Sequence, residues 1–310
     1  MKKYFLSIAF ALAVAGTSLA QRTPQASTSA GVMQTVGVTD FTVTYSRPSA
    51  KGRTIFGDST TKAIVPNGQL WRTGANMATT LEASTEFMFG GTRVPAGKYA
   101  LFTMPGSGEW TVILNKNWNQ GGTAAYKQAE DVARLKTYPT SSSFNETFLI
   151  TFTNVTDSSA KLNLSWGSLT VPVQLELATT QMTMAGLDKA VAEKPEDPNT
   201  LMNAANYMMA IGKDLDKALA LTDKAIGLQQ NFRNVWLKAQ ILNKMGKTAE
   251  ALPLAQKALA MGKTSNEGAF SFMGPQIESG IKAMQAKVPA AAATAASAAG
   301  TATAKGKKKK

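Results

Sequence analysis

The chain has no cysteine and no histidine. Without cysteine there is no disulfide, no lipid-bearing lipobox thiol, no iron–sulfur cluster and no thiol catalysis. Without histidine the usual general base, the Ser-His-Asp triad and most zinc sites are excluded. Catalysis, if present, is left with carboxylate, lysine or tyrosine groups, or with a metal held by oxygen. The reading is of a protein without cofactor, without a metal site and without catalytic residues. Long apolar runs are missing too. Tyr4 to Ala15 is the one such run, and it falls short of the ~18–20 residues of a membrane span.

That run is bracketed by Lys2 and Lys3 on one side and Ser18-Leu19-Ala20 on the other. A charged start, an apolar middle and small residues at −3 and −1 define a secretory leader. Residues 1–20 are therefore expected to be a signal peptide cleaved before Gln21, sending the chain to the periplasm or outside the cell. The net charge is +13, but seven of the lysines lie in the leader and at Lys305 and Lys307 to Lys310. The body is thus only modestly basic, and nucleic acid is not an expected partner. The lysine tail suits either an anionic surface or simple solubility.

With 310 residues the chain has room for two domains. Residues 21–36 are small and polar and read as an N-terminal arm. From 37 to 180 the hydrophobic period is two. Phe41-Thr42-Val43-Thr44-Tyr45 alternates apolar and polar, and further short runs follow at regular spacing between Gly and Pro turns. That pattern predicts an antiparallel β-sandwich. Ala124 to Leu135 interrupts with helical composition and reads as a short helix or an irregular excursion across a sheet edge. Pro172 moves the last run towards a sheet edge.

From 181 to 288 the period becomes 3.6. Six helical stretches are predicted, near 182–194, 199–211, 214–228, 232–245, 248–261 and 266–287. Gly212-Lys213 recurs at Gly246-Lys247, 34 residues on. Such a helix–turn–helix period is the tetratricopeptide signature. The predicted fold class is therefore a β-sandwich followed by a tetratricopeptide-like α-helical hairpin array. Pro253 inside a helix departs from the pattern. Residues 289–310 are an Ala/Thr-rich linker ending in the lysine tail.

The densest chemistry lies in two blocks. Ser46-Arg47-Pro48 and Lys51-Gly52-Arg53-Thr54-Ile55-Phe56-Gly57 are followed by Trp71-Arg72-Thr73-Gly74-Ala75-Asn76. These motifs, in this order, resemble DUF2911, a family of exported bacterial domains of unknown function. The resemblance spans roughly 33–178 and implies no activity. Read as chemistry, Arg47, Lys51, Arg53, Trp71, Arg72 and Asn76 are the candidate ligand-binding residues. Arginine forks match carboxylates, phosphates and sulfates, and tryptophan offers a stacking face for a sugar. The competing reading is that the arginines pair with Asp58, Glu82, Glu86 or Glu109 and pin loops.

Two weaker candidates complete the list. Glu82, Glu86, Glu109, Glu130, Asp131 and Glu146 supply carboxylates for a glycosidase pair, though no spacing selects one. Asn115 to Gly122 is amide-rich beside Trp118 and suits a carbohydrate loop or an amide-capped turn. The expectation is a binding or scaffold protein of the cell envelope. Its sandwich would take an anionic or sugar ligand and its helical repeats a protein. The alternatives are a carboxylate-dependent carbohydrate-active or hydrolytic enzyme, and a ligand-free structural protein. An acid-free cleft lined by Arg and Trp would favour binding, and two facing acids would favour the enzyme.

Overall fold

The computed structural model describes residues 23–58 and 60–288. The expected leader, linker and lysine tail lie outside the described residues. The chain divides into two compact units, with the boundary between Thr179 and Thr180.

The first unit is built of strands. In chain order they are β1 (Thr28–Val36), β2 (Thr39–Arg47), β3 (Phe56–Gly57), β4 (Val65–Pro66), β5 (Thr79–Ala83), β6 (Phe87–Phe89), β7 (Thr92–Val94), β8 (Gly97–Met104), β9 (Trp110–Asn115), β10 (Asp131–Thr137), β11 (Thr140–Thr153) and β12 (Ser159–Glu176). One sheet runs β1-β2-β5-β8-β9-β10, a second β11-β12-β6-β7, and β3 pairs only with β4. Alternation sets the inner faces. Phe41, Val43, Leu81 and Leu101 from the first sheet share one core with Phe89, Phe148, Ile150, Leu162 and Leu164 from the second. Two antiparallel sheets closed over one apolar layer make a sandwich.

Three segments differ from the sequence reading. The arm expected over 21–36 supplies β1, which pairs along its whole length with β2, from Thr28↔Arg47 to Val36↔Thr39. Its inward positions carry part of the core: Val36 is fully buried, and Ala30 and Val32 pack against the same cluster. The segment 124–135 holds only a single helical turn, Gln128–Glu130, before β10 forms. Pairing with β9 overrides helical composition there, and a register shift between Asp131 and Ala133 conceals the alternation. Pro172 lies inside the 18-residue β12, which has a neighbour on either side. It is tolerated because β12 pairs with β11 up to Thr170 and with β6 only from Leu175, leaving Pro172 between the two ladders.

The second unit holds α1 (Thr179–Glu193), α2 (Pro198–Ile211), α3 (Leu215–Leu228), α4 (Phe232–Lys244), α5 (Thr248–Lys263) and α6 (Phe270–Lys287). Its turns repeat. After α2 the Lys213 N–H reaches Met208 O, and after α4 the Lys247 N–H reaches Leu242 O. Gly212 and Gly246 take the left-handed conformation that this closure requires, with φ of 69° and 82°. The alanines at 205, 218, 225, 239, 251 and 258 are all fully buried, so the helices approach closely. Pro253 and Pro275 are both accommodated inside helices.

Candidate functional site

A cleft of about 580 Å³ opens in the sandwich where the two motif blocks meet. One wall is the chain after β2. Pro48 O accepts the Phe148 N–H at 2.9 Å, and the Ala50 N–H donates to Glu146 O at 2.8 Å. This segment is thereby stitched to the free edge of β11. It presents Ser49, Lys51 and Arg53 to the cleft. The loop before β5 also lines it, with Trp71, Arg72, Gly74 and Ala75. Trp71 is fixed to β8 by a two-way bridge with Thr103, at 2.7 and 2.9 Å. Ala26 and Ser27 close one end.

The backbone around the cleft is strained. Lys51, Thr73 and Asn76 have positive φ of 50°, 54° and 58°. That is half of the six non-glycine residues in this region of φ among the described residues, and for the β-branched Thr73 it is a real outlier. Strain of this kind costs ~1–3 kcal/mol per residue and gathers at ligand sites. The Thr73 conformation is held by its neighbours: Thr79 Oγ1 donates to Thr73 O at 2.5 Å. Gly74, at φ 153°, disfavours any other residue, because a Cβ there would lie 2.9 Å from Ser46 O and force a shift.

The six candidate residues separate into distinct roles. Arg72 lines the cleft, and its Nε is buried without a hydrogen-bond partner. Lys51 and Arg53 also line the cleft and are exposed. Arg53 Nε and Nη2 donate to Ala50 O and Ser49 O at 2.9 and 2.8 Å, which leaves its remaining donors free. Trp71 contributes to the floor but is 92% buried, stacked on Trp166 at 5.8 Å, with Nε1 donating to Gly74 O. Its broad face is thus packing and not a platform for a sugar. Arg47 and Asn76 do not line the cleft. Arg47 Nε donates to Phe148 O at 2.9 Å, and Asn76 Nδ2 donates to Ser27 O and Ser46 Oγ at 3.3 and 3.2 Å. Both are struts.

The competing reading, arginines paired with acids, does not describe this site. Among the described residues, none of the ion pairs involves Arg47, Lys51, Arg53 or Arg72. Glu82 pairs with Lys98, Glu86 with Arg93 and Glu109 with Lys136. Asp58 instead accepts from the hydroxyl and N–H of Thr60, which hold its carboxyl below the usual range. Among the described residues, no carboxylate lines the cleft. The acid at its margin is Glu146, whose Oε1 accepts the Lys51 N–H at 2.7 Å. The remaining acids of the glycosidase list, Glu130 and Asp131, pair with Lys127 and Arg134.

The amide-rich loop is partly tied down by hydrogen bonds, although Gln120 Oε1 is buried without a partner. Asn115 donates to Lys127 O and Asp131 Oδ1, and Gln120 to Asn117 O. Trp118 is half-exposed, but Lys98 Nζ sits 4.7 Å from its ring centre. Among the described residues no group of three or more Asp or Glu side chains is arranged to hold a metal, and no helix is long and apolar enough to cross a membrane.

The helical unit has a groove of its own, of about 440 Å³, which the sequence reading did not locate. Asn199, Asn203 and Asn206 line it from α2, with Gln240 on α4 and Gln276 on α6. The sequence did carry a signal. The asparagines recur at helical spacing, while Leu201, Ala204, Ala205 and Met208 fill the buried face of the same helix. Trp236 and Met273 supply apolar floor.

Residues 27–175 match the family model DUF2911, described as a protein of unknown function. No curated protein and no solved structure matches the chain. The matched segment contains the whole cleft except Ala26, so the sandwich with its cationic loops is the part of this chain that resembles DUF2911.

Proposed function

We propose that the protein is exported and that its sandwich is an anion-binding module. The observation carrying this is the buried, unpartnered Nε of Arg72 in an acid-free cleft that also presents Lys51 and Arg53. A buried donor without an acceptor costs free energy. That cost is recovered when a ligand supplies the acceptor. Binding is favoured over hydrolysis because a general acid–base pair needs two carboxylates facing the substrate, and among the described residues none lines the cleft. Thermal melts of the full chain in sulfate, phosphate and citrate, against chloride at equal ionic strength, test the reading. A saturable rise in Tm that Arg72→Gln abolishes is expected. No rise, or the same rise in the variant, rejects it.

The helical unit is read as a tetratricopeptide-like protein-binding module. Its amide-lined groove supports this, since Asn and Gln side chains can pair with both N–H and C=O of an extended peptide. Capture of an envelope protein should be lost in Asn203→Leu with Gln240→Leu, while the helical circular dichroism is kept. Export rests on the charged, apolar and small-residue leader. Mass spectrometry of the native protein should find Gln21 first, free or cyclised, and an intact Met1 would refute it.

A further inference from the structure

We infer that the anion taken by the sandwich cleft is a phosphomonoester of a small polar body, bound with its phosphate between Arg72 and the Lys51–Arg53 wall. This rests on the anion-binding reading above and narrows it. Charge is the first argument. Three cations face the cleft and one carboxylate, Glu146, stands at its margin on the Lys51 N–H. The excess of two positive charges matches a dianion better than a monoanion such as a carboxylate or a sulfate ester.

Donor geometry is the second argument. Arg72 has a free guanidinium fork, which binds two oxygens of one group side by side. Lys51 adds a compact point charge, and Arg53 keeps donors that its two backbone bonds do not use. A planar carboxylate has two oxygens and satisfies one fork. A phosphate ester has three terminal oxygens in a tetrahedron and can engage both loops. The third argument is size. The cleft is far larger than an inorganic ion, and lies in the ~300–1,000 Å³ range of sites for small organic ligands. Pro48, Ile64 and Trp166 give the carbon body an apolar floor, and Ser27 and Ser49 give it polar rims.

The missing histidine makes the inference sharply testable. No side chain of this protein has an ordinary pKa between ~5 and ~8, whereas a phosphomonoester loses its second proton near ~6. A change of affinity across that window that the sulfate does not share therefore reports the ligand's charge. The full chain is titrated calorimetrically, at fixed ionic strength, with glucose 6-phosphate, glucose 6-sulfate, glucuronate and glucose. One sugar body thus carries a dianion, two kinds of monoanion and no charge.

Glucose 6-phosphate is expected to bind tightest and to tighten roughly tenfold from about pH 5 to about pH 7.5, while the other three stay flat. Arg72→Gln should weaken it about tenfold or more. Should that variant fail to fold, the exposed Lys51→Gln serves in its place and should reduce the preference for phosphate over sulfate. Equal affinity for the phosphate and either monoanion, or a flat pH profile, overturns this inference and leaves the anion reading standing. Equal affinity for glucose and the three anions overturns both. Failure of all four sugars to bind, with sulfate or citrate still raising Tm, also overturns the inference alone.

Discussion

Arg47, Arg53 and Arg72 have the same side chain but three different situations, and stability measurements should separate them. Arg72 has no carboxylate partner and a buried, unpartnered Nε. Arg72→Gln therefore strands no acid and should cost under ~1 kcal/mol. Arg47→Ala leaves the backbone carbonyl of the buried Phe148 without its donor and should cost about 1–3 kcal/mol. Arg53 is exposed and bonds Ala50 O and Ser49 O, so its loss should fall between the two. Urea melts of the three variants check this order, and a large loss at Arg72 would contradict it. Gly74→Ala is the steric counterpart. It forces a Cβ against Ser46 O in a conformation hostile to side chains, and should cost ~1–3 kcal/mol. Sequence alone could single out these residues but not sort them. What separates a strut from a ligand group is which oxygen lies within reach, and the oxygens come from Phe148, Ser27 and Ser46, distant in the chain.

Among the elements, β10 was the least legible and offers the clearest pH test. Its sequence, with Ala, Arg and Lys, favours a helix in isolation, and only the pairing with β9 makes it a strand. At its start Asp131 accepts from Tyr126 Oη at 2.7 Å and from Asn115 Nδ2 at 2.9 Å. Burial, then the Asp131 carboxylate, pushes the Tyr126 hydroxyl up to about 12. Burial also raises Tyr99. A tyrosine whose folded pKa exceeds its unfolded value of ~10 binds its proton more tightly when folded, so the folded state binds more protons. That contribution is complete below pH ~10 and is lost as the pH rises towards about 12. Denaturation midpoints should therefore fall with pH across this interval, and less steeply in Tyr126→Phe. Equal slopes would show that Tyr126 is not the group responsible. The helices were easier to read, because Gly212 and Gly246 mark turns that close with the same hydrogen bonds. The strand β1 was not, since its inward Ala30, Val32 and Val36 are interrupted by Gln34 and lie in a small, polar segment, and its place is set by β2.

For the whole molecule, the division near residue 180 was visible as a change of hydrophobic period, and it coincides with the split into two compact units. A fragment of residues 23–178 should fold alone with a β-type circular dichroism spectrum. One beginning at 37 should be markedly less stable, because it lacks all of β1 and its nine paired positions along β2. Coincident melts of the two fragments would refute the place given to β1. The stitching of Pro48 to Ala50 along β11 has a further consequence, in colloidal behaviour. A bare strand edge offers its amides to any passing chain and seeds edge-to-edge assembly. Here the same loop that carries Lys51 and Arg53 covers the middle of that edge, at Glu146 and Phe148, and its like charges repel a second copy. Changes that loosen it, such as Arg47→Ala, should therefore favour fibrous self-association as well as weaken the fold, and an occupied cleft should delay it.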